Sequence, residues 1–130
     1  MNQKGFATLE VILMVVVIGI LATIAVPRFT DITAKANTAK VQADLAAIDT
    51  AIAMQQMESA DSPTEDNVKP YLNDGWPSAP EGSVYIDGKV VPVPTGGYTI
   101  GDYTISGTGD TAKKTKKAKL GTYFASNFHK

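Results

Sequence analysis

Glu10 is the residue of this chain whose placement most needs a chemical explanation. It stands near the start of an apolar stretch, and Val11 to Pro27 after it is seventeen residues without a charge. A carboxylate at the edge of hydrocarbon costs about 2–3 kcal/mol even on lenient insertion scales. A plain anchor gains nothing from that cost, so Glu10 is expected to have a partner. A second charged feature lies far downstream. Lys113, Lys114, Lys116, Lys117 and Lys119 place five lysines in seven residues. Such a run can hold phosphates through salt-sensitive contacts, pair with acids such as Asp61, Glu65 or Asp66 on a neighbouring molecule, or serve as a solvated loop or charged edge. No aromatic residue interrupts the run to stack bases, which counts against nucleic acid.

Conventional catalytic chemistry has little to work with. There is no cysteine, so disulfides and thiolate metal sites are excluded. His129 is the only histidine, one residue from the end, where a frayed terminus is expected. No Gly-rich phosphate loop and no nucleophile motif accompany it. An enzyme is not expected, and neither is a cofactor. The formal net charge of −1 gives no general pull on polyanions.

The elements that must position these residues can be read from spacing. From Phe6 to Pro27 the apolar stretch would measure roughly 33 Å as a helix, enough to cross a bilayer core. Beyond it, residues 31–57 contain neither Gly nor Pro and are rich in alanine, the best helix former. Val41, Leu45, Ile48 and Ile52 step by four, three and four, one stripe that should face a small domain. Residues 6 to about 57 would then be one rod of roughly 75–80 Å, kinked at Pro27, which removes the hydrogen bond to the carbonyl of Thr23. A loop and short helix over 58–83 follow. Ser62 as N-cap, Pro63 at N1 and Glu65 at N3 form the expected capping box, with a helix over 63–69 stopped by Pro70. Trp76 is read as a plug of the small core.

Residues 84–125 read as antiparallel strands. Asp87-Gly88 between Val84-Tyr85-Ile86 and Val90-Val91 is a strong hairpin signal. Gly101-Asp102, between Tyr98-Thr99-Ile100 and Tyr103-Thr104-Ile105, reads as a type II′ turn. Leu120 to Ala125 is a last strand candidate. The fold class is therefore α+β, a long N-terminal helix packed on a small antiparallel sheet.

Lys4-Gly5-Phe6, with Glu10 four residues further on and Gly19, Pro27 and Arg28 beyond, resembles the class III signal sequences of type IV pilins and pseudopilins. The resemblance is specific over about residues 4–30 and weak beyond residue 80. It implies a leader, residues 1–5, cut by a prepilin peptidase between Gly5 and Phe6, with N-methylation of Phe6. It implies a membrane and filament-core helix over 6–30, an external domain over 31–130, and assembly roles for Glu10, Gly19 and Pro27. The segment from Gly19 to Pro27 is the one expected to lose helix when subunits pack. Ala47 stands where many relatives carry a second proline, so the external half should be straighter.

The implied function is a structural subunit that polymerises through its N-terminal helix into a type IV pilus. The alternatives are a pseudopilin of a type II secretion or DNA-uptake machine, and a membrane-anchored binding module. Implied partners are identical or homologous subunits, the peptidase, an inner-membrane assembly platform and, before assembly, lipid; DNA is the least supported. Basic residues flank the apolar span on both sides, so the positive-inside rule is nearly mute. The resemblance alone puts the leader in the cytoplasm, the subunit first in the bacterial inner membrane, and later in an extracellular or envelope-spanning filament. Secretion pseudopilins commonly bind calcium in a C-terminal loop. Here Asp102 and Asp110 with Ser106, Thr108 and Thr111 are a poor oxygen set, and no metal is expected.

Overall fold

The computed structural model describes residues 3–107, 109 and 113–130, with side chains throughout except at residues 3, 4 and 25–28. The chain is α+β. By its contacts it divides into two units, Met1–Ile32 and Thr33–Lys130. Helix α1, Gln3–Glu58, contributes residues to both. The first unit is its apolar part. Pro27 and the kink expected there fall among residues 25–28, outside the described side chains.

The second unit is built around the alanine-rich part of α1. Ala34, Thr38, Val41, Leu45, Ile48, Ile52 and Gln55 are all buried. They step alternately by four and three, so one stripe stays on one side of the helix. The expected stripe of Val41, Leu45, Ile48 and Ile52 is therefore present, and it is extended by two polar residues. Val68, Val84, Ile86, Tyr98, Ala118, Leu120 and Phe128 complete the core against it. Trp76 is only half-buried at the rim, where its Nε1–H donates to the Tyr98 carbonyl at 3.2 Å.

The short helix α2, Glu65–Val68, starts two residues later than expected. Its cap is Thr64, whose hydroxyl accepts from Asn67 N while the Asn67 side chain accepts from Thr64 N at 2.7 Å. The reciprocal box is made by Thr64 and Asn67, not Ser62 and Glu65. Ser62 instead offers its carbonyl to Asn67 Nδ2 at 3.0 Å. Pro70 ends the α-helix by lying inside a 3-10 turn, Lys69–Tyr71.

Strands β1, Ser83–Ile86, and β2, Lys89–Pro92, form the expected hairpin. Asp87 at φ 48° and Gly88 at φ 82° supply the two positive φ values that a type I′ turn needs. The second expected hairpin is not formed. Tyr98–Ser106 is one continuous strand, β3, paired along its length with β4, Lys113–Leu120. A type II′ turn would need φ above zero at Gly101, and Gly101 is not among the positive-φ glycines. The alternation of faces simply runs through it, and Asp102 sits opposite Lys116. The lysine run is thus a strand rather than a loop, and up to Ala118 its side away from β3 is an edge, because β5 pairs only with Lys119 and Leu120. Beyond it, β5, Tyr123–Phe124, is much shorter than the strand expected over 120–125. Two separate sheets, β1-β2 and β3-β4-β5, replace the single one expected.

Open strand edges are closed by polar residues of α1. Tyr85 N donates to Thr38 Oγ1 at 2.8 Å, and Ala118 N to Asp49 Oδ1 at 2.7 Å. Asn37 Nδ2 donates to the carbonyls of Glu81 and Ser83, and Gln42 Nε2 to that of Phe128. These bonds matter because a buried backbone group without a partner costs about 1–3 kcal/mol. The C-terminus is likewise held rather than frayed. Phe128 is fully buried, and the carbonyls of Asn127 and His129 accept from Asp87 N and Gly88 N. Those two amides belong to the β1-β2 turn, which docks the tail.

Candidate functional site

The apolar part of α1 is the first candidate. Phe6, Leu9 and every Val, Ile, Leu and Met from Val11 to Ile24 stand exposed. An apolar surface this continuous marks a membrane or protein contact, because water leaves it unstable by about 25 cal/mol per Å². Among the described residues, one helix is long and apolar enough to cross a membrane. Phe6 and Glu10 lie four residues apart, hence on one side of this helix, and both are exposed. No ion pair among the described residues includes Glu10.

Gly19 is informative for a different reason. A Cβ built there meets nothing within 4 Å, and the same holds at Gly5. Packing within this chain therefore does not require either glycine. A mid-helix glycine costs about 1 kcal/mol relative to alanine, with no return inside this chain. Thr23, the one hydroxyl in the middle of the segment, is satisfied locally by donating to the Ile20 carbonyl at 2.7 Å. Such a bond lets a polar side chain sit in an apolar helix.

Strand β4 is the second candidate, and its alternation sorts the lysines onto two faces. Lys114 and Lys116 share a face with the buried Ala118 and Leu120. There Lys116 Nζ bridges Asp102 at 2.6 Å, and this hydrogen bond holds the Asp102 carboxyl below its ordinary range. Asp61 lines the same hollow as Lys114, Lys116 and Asp102. Lys113, Lys117 and Lys119 occupy the other face with Thr115. Lys117 Nζ lies 4.6 Å from the centre of the Tyr103 ring, and Tyr103 meets Phe124 edge-to-face at 5.0 Å. Lys119 lies flat across Gly101, where a Cβ would come within 2.8 Å of its Cε. Glycine in mid-strand here makes room for a side chain, not for a turn.

On the helix side, burial pushes the Asp49 carboxyl up, opposed by the Ala118 N–H and by Lys117. Of the calcium candidates, Thr108, Asp110 and Thr111 lie outside the described residues. Asp102 is already engaged by Lys116, and the described residues hold no group of three or more metal-ligating side chains. The polar hooks Asn37, Thr38, Gln42 and Asp49 escaped the sequence reading because in a helix they look like ordinary solvated positions. Their one signal is proximity to the apolar stripe, which Thr38 continues one turn before Val41 and which Gln42 and Asp49 adjoin at Val41 and Ile48.

No protein-family model and no solved structure matches the chain. Curated proteins do. PilA5 of Thermus thermophilus, a type IV narrow pilus major component, is 46% identical over 68 residues, 52% of this chain and 59% of the relative. The type II secretion system core protein G of Aeromonas hydrophila is 34% identical over 90 residues, 69% of this chain and 63% of the relative. The type IV major alpha-pilin of Moraxella bovis is 44% identical over 50 residues, 38% of this chain and 31% of the relative. The chain thus spans about six-tenths of the first two and about a third of the third. Pilus and secretion-system relatives together, with a fold of one long helix and small antiparallel sheets, make the chain similar to the type IV pilins and pseudopilins.

Proposed function

We propose that this chain is a filament subunit, held in the inner membrane by the first part of α1 and then packed through that same segment into a type IV pilus. One observation carries the reading: a fully exposed apolar helix from Phe6 to Ile24 in which the only charge is Glu10. Lipid would cover the apolar surface but give the carboxylate nothing. A staggered second copy would supply both, because the amine of Phe6, freed by cutting after Gly5, can meet Glu10 of its neighbour. In low dielectric that pair favours one axial register and penalises others. The two glycines that the fold itself does not need fit the same account, Gly5 as the cleavage residue and Gly19 as a place where the helix can open or another copy approach. N-methylation of Phe6, the peptidase, the assembly platform and a role for Pro27 belong to this proposal.

A pseudopilus of a secretion machine is the second reading, favoured by the longer match to the core protein G of Aeromonas hydrophila. Both readings share one test. Glu10→Ala is expected to leave membrane insertion and cleavage intact while sheared-filament yield falls to near zero. Wild-type filament yield from this variant would refute the assembly mechanism. For processing, Gly5→Leu is expected to leave full-length protein in the membrane, read by intact mass; a chain still shortened by five residues would place the cut elsewhere.

A further inference from the structure

A groove runs along the second part of α1, on the flank beside its buried stripe. Ala47 and Ala51 form its floor, and their small side chains leave a hollow of about 380 Å³. The segment from Tyr71 to Ser78 is the opposite wall and runs against the helix direction. The Tyr71 hydroxyl donates to Glu58 Oε2 at 2.5 Å near one end, and Lys40 Nζ donates to the Ser78 carbonyl at 2.9 Å near the other. Leu72 and Pro77 of this wall, with Met54 of the helix, give the hollow apolar surface. Asp44 and Asp74 line it too, and its described lining residues include no basic side chain. Asp44 uses one oxygen, Oδ2, for both Lys40 and Tyr98; among the described residues its Oδ1 accepts nothing.

We propose that this groove binds a linear aliphatic polyamine of the spermidine type. Asp44 stands near one end, Asp74 between the two pinned ends of the wall, and Glu58 beside Tyr71 at the other end. The helix rises about 21 Å from residue 44 to residue 58, so the acids are strung out rather than clustered. Three acids against Lys40 leave the groove with two negative charges. A polyamine alternates ammonium groups with short methylene runs along an extended chain. Its charges can meet the acids while its methylenes lie on Ala47, Ala51, Leu72 and Met54. Ammonium–carboxylate bonds are strongest where water is partly excluded, and only 19% of the Asp44 side chain is exposed. The Tyr71 ring, which lines the Glu58 end, is a further surface that an ammonium favours. A metal ion would use the acids and leave the apolar floor bare, and an uncharged apolar ligand would leave the acids unpaired. The volume suits a small ligand and is too small to seat a folded partner.

The test is calorimetric titration of the full chain, in zwitterionic detergent micelles, with spermidine. Spermidine is expected to bind about tenfold more tightly than butylamine, which offers one ammonium and so loses the other charge-assisted bonds. Asp74→Asn, at an exposed position, is expected to weaken spermidine binding about tenfold. Ala47→Leu, also at an exposed position, is expected to fill the hollow and abolish binding. Circular dichroism that matches wild type separates these losses from unfolding, and Glu81→Gln, outside the hollow, serves as the control for general charge. The proposal is overturned if spermidine fails to bind by about 1 mM, the weak end of specific affinity. It is equally overturned if Ala47→Leu binds as wild type does, if Glu81→Gln weakens binding as much as Asp74→Asn, or if magnesium at equal concentration displaces spermidine. Self-association of the wild-type chain in these micelles that Ala47→Leu removes would assign the groove to a second copy, and would overturn it too.

Discussion

One helix contains two regions that treat the same kinds of side chain in opposite ways. Leu13 in the first part of α1 is 63% exposed, whereas Leu45 in the second part is 0% exposed. Apolar residues surround the first part on every side, so no single neighbour within one small domain could cover them. In the second part they keep to one stripe, alanine and polar residues fill the rest, and one chain suffices to bury the stripe. The first part is therefore built for an environment that the chain does not itself provide. The second part is built for this fold.

The same substitution in both regions is the sharpest way to break that contrast. Leu45→Ala is expected to cost about 2–5 kcal/mol by leaving a cavity. Leu13→Ala should stay within about 0.5 kcal/mol, since the side chain leaves no hole within the chain's own fold. Denaturant unfolding of the full chain in mild detergent measures both, and comparable losses would mean that the first part also packs intramolecularly.

A smaller effect is expected where α1 holds a strand by hydrogen bonds. Asp49→Ala removes the acceptor of Ala118 N and should cost about 1–3 kcal/mol. Asp49→Asn keeps an oxygen there and should recover most of that loss. Equal destabilisation by both variants would show that charge, rather than the hydrogen bond, holds β4 to the helix.

Smaller again is an alkaline effect at Tyr98, whose hydroxyl donates to Asp44 Oδ2 at 2.8 Å. Burial, then that bond and the Asp44 charge, push its ionisation far above the ordinary value of 10.0. The folded state therefore keeps a proton that the unfolded chain gives up. Stability is fully present below about pH 10 and falls as pH rises beyond it. Tyr98→Phe should flatten this alkaline slope while costing about 1 kcal/mol at neutral pH. A slope unchanged by the substitution would assign the alkaline loss to other groups.

The smallest effect is expected at Lys116. Its bridge to Asp102 is solvent-exposed, with the Asp102 side chain 56% accessible. The lowered Asp102 ionisation adds stability above the ordinary value of 3.8 that is lost as pH falls through the folded value, and salt screens it. Lys116→Gln should leave the neutral-pH unfolding midpoint unchanged within error. A clear drop would make the inward face of β4 part of the core rather than its solvated margin.

Much of this was legible from local pattern. The apolar span with its single carboxylate, the four-residue stripe of α1 and the Asp87-Gly88 turn depend on neighbours within one or two helical turns or across one hairpin. Their physics is complete within a short window. The errors at Gly101-Asp102 and at the lysine run share one cause: both segments looked like turn or solvent until paired with each other. Gly101 is a poor strand residue by itself, and a lysine-rich stretch has no apolar alternation to announce a strand. Side by side, Lys119 fills the space over Gly101, and Lys116 neutralises Asp102.

The amino-acid sequence by itself determined the long helix, which of its side chains are apolar on all sides and which form a stripe, and the one charge set in the apolar span. Those properties follow from composition and a period of 3.6 residues, which no distant partner alters. Only the tertiary structure decided that the lysines form a strand with two faces, that Tyr103 and Phe124 join them, that polar residues of α1 close the strand edges, and that the C-terminus docks on the β1-β2 turn. These arrangements depend on groups brought together from well apart in the sequence, from Asp102 and Lys116 in one strand pair to Gln42 and Phe128, 86 residues apart. Strand pairing and edge closure satisfy hydrogen bonds across such separations, and no local window of sequence contains both partners.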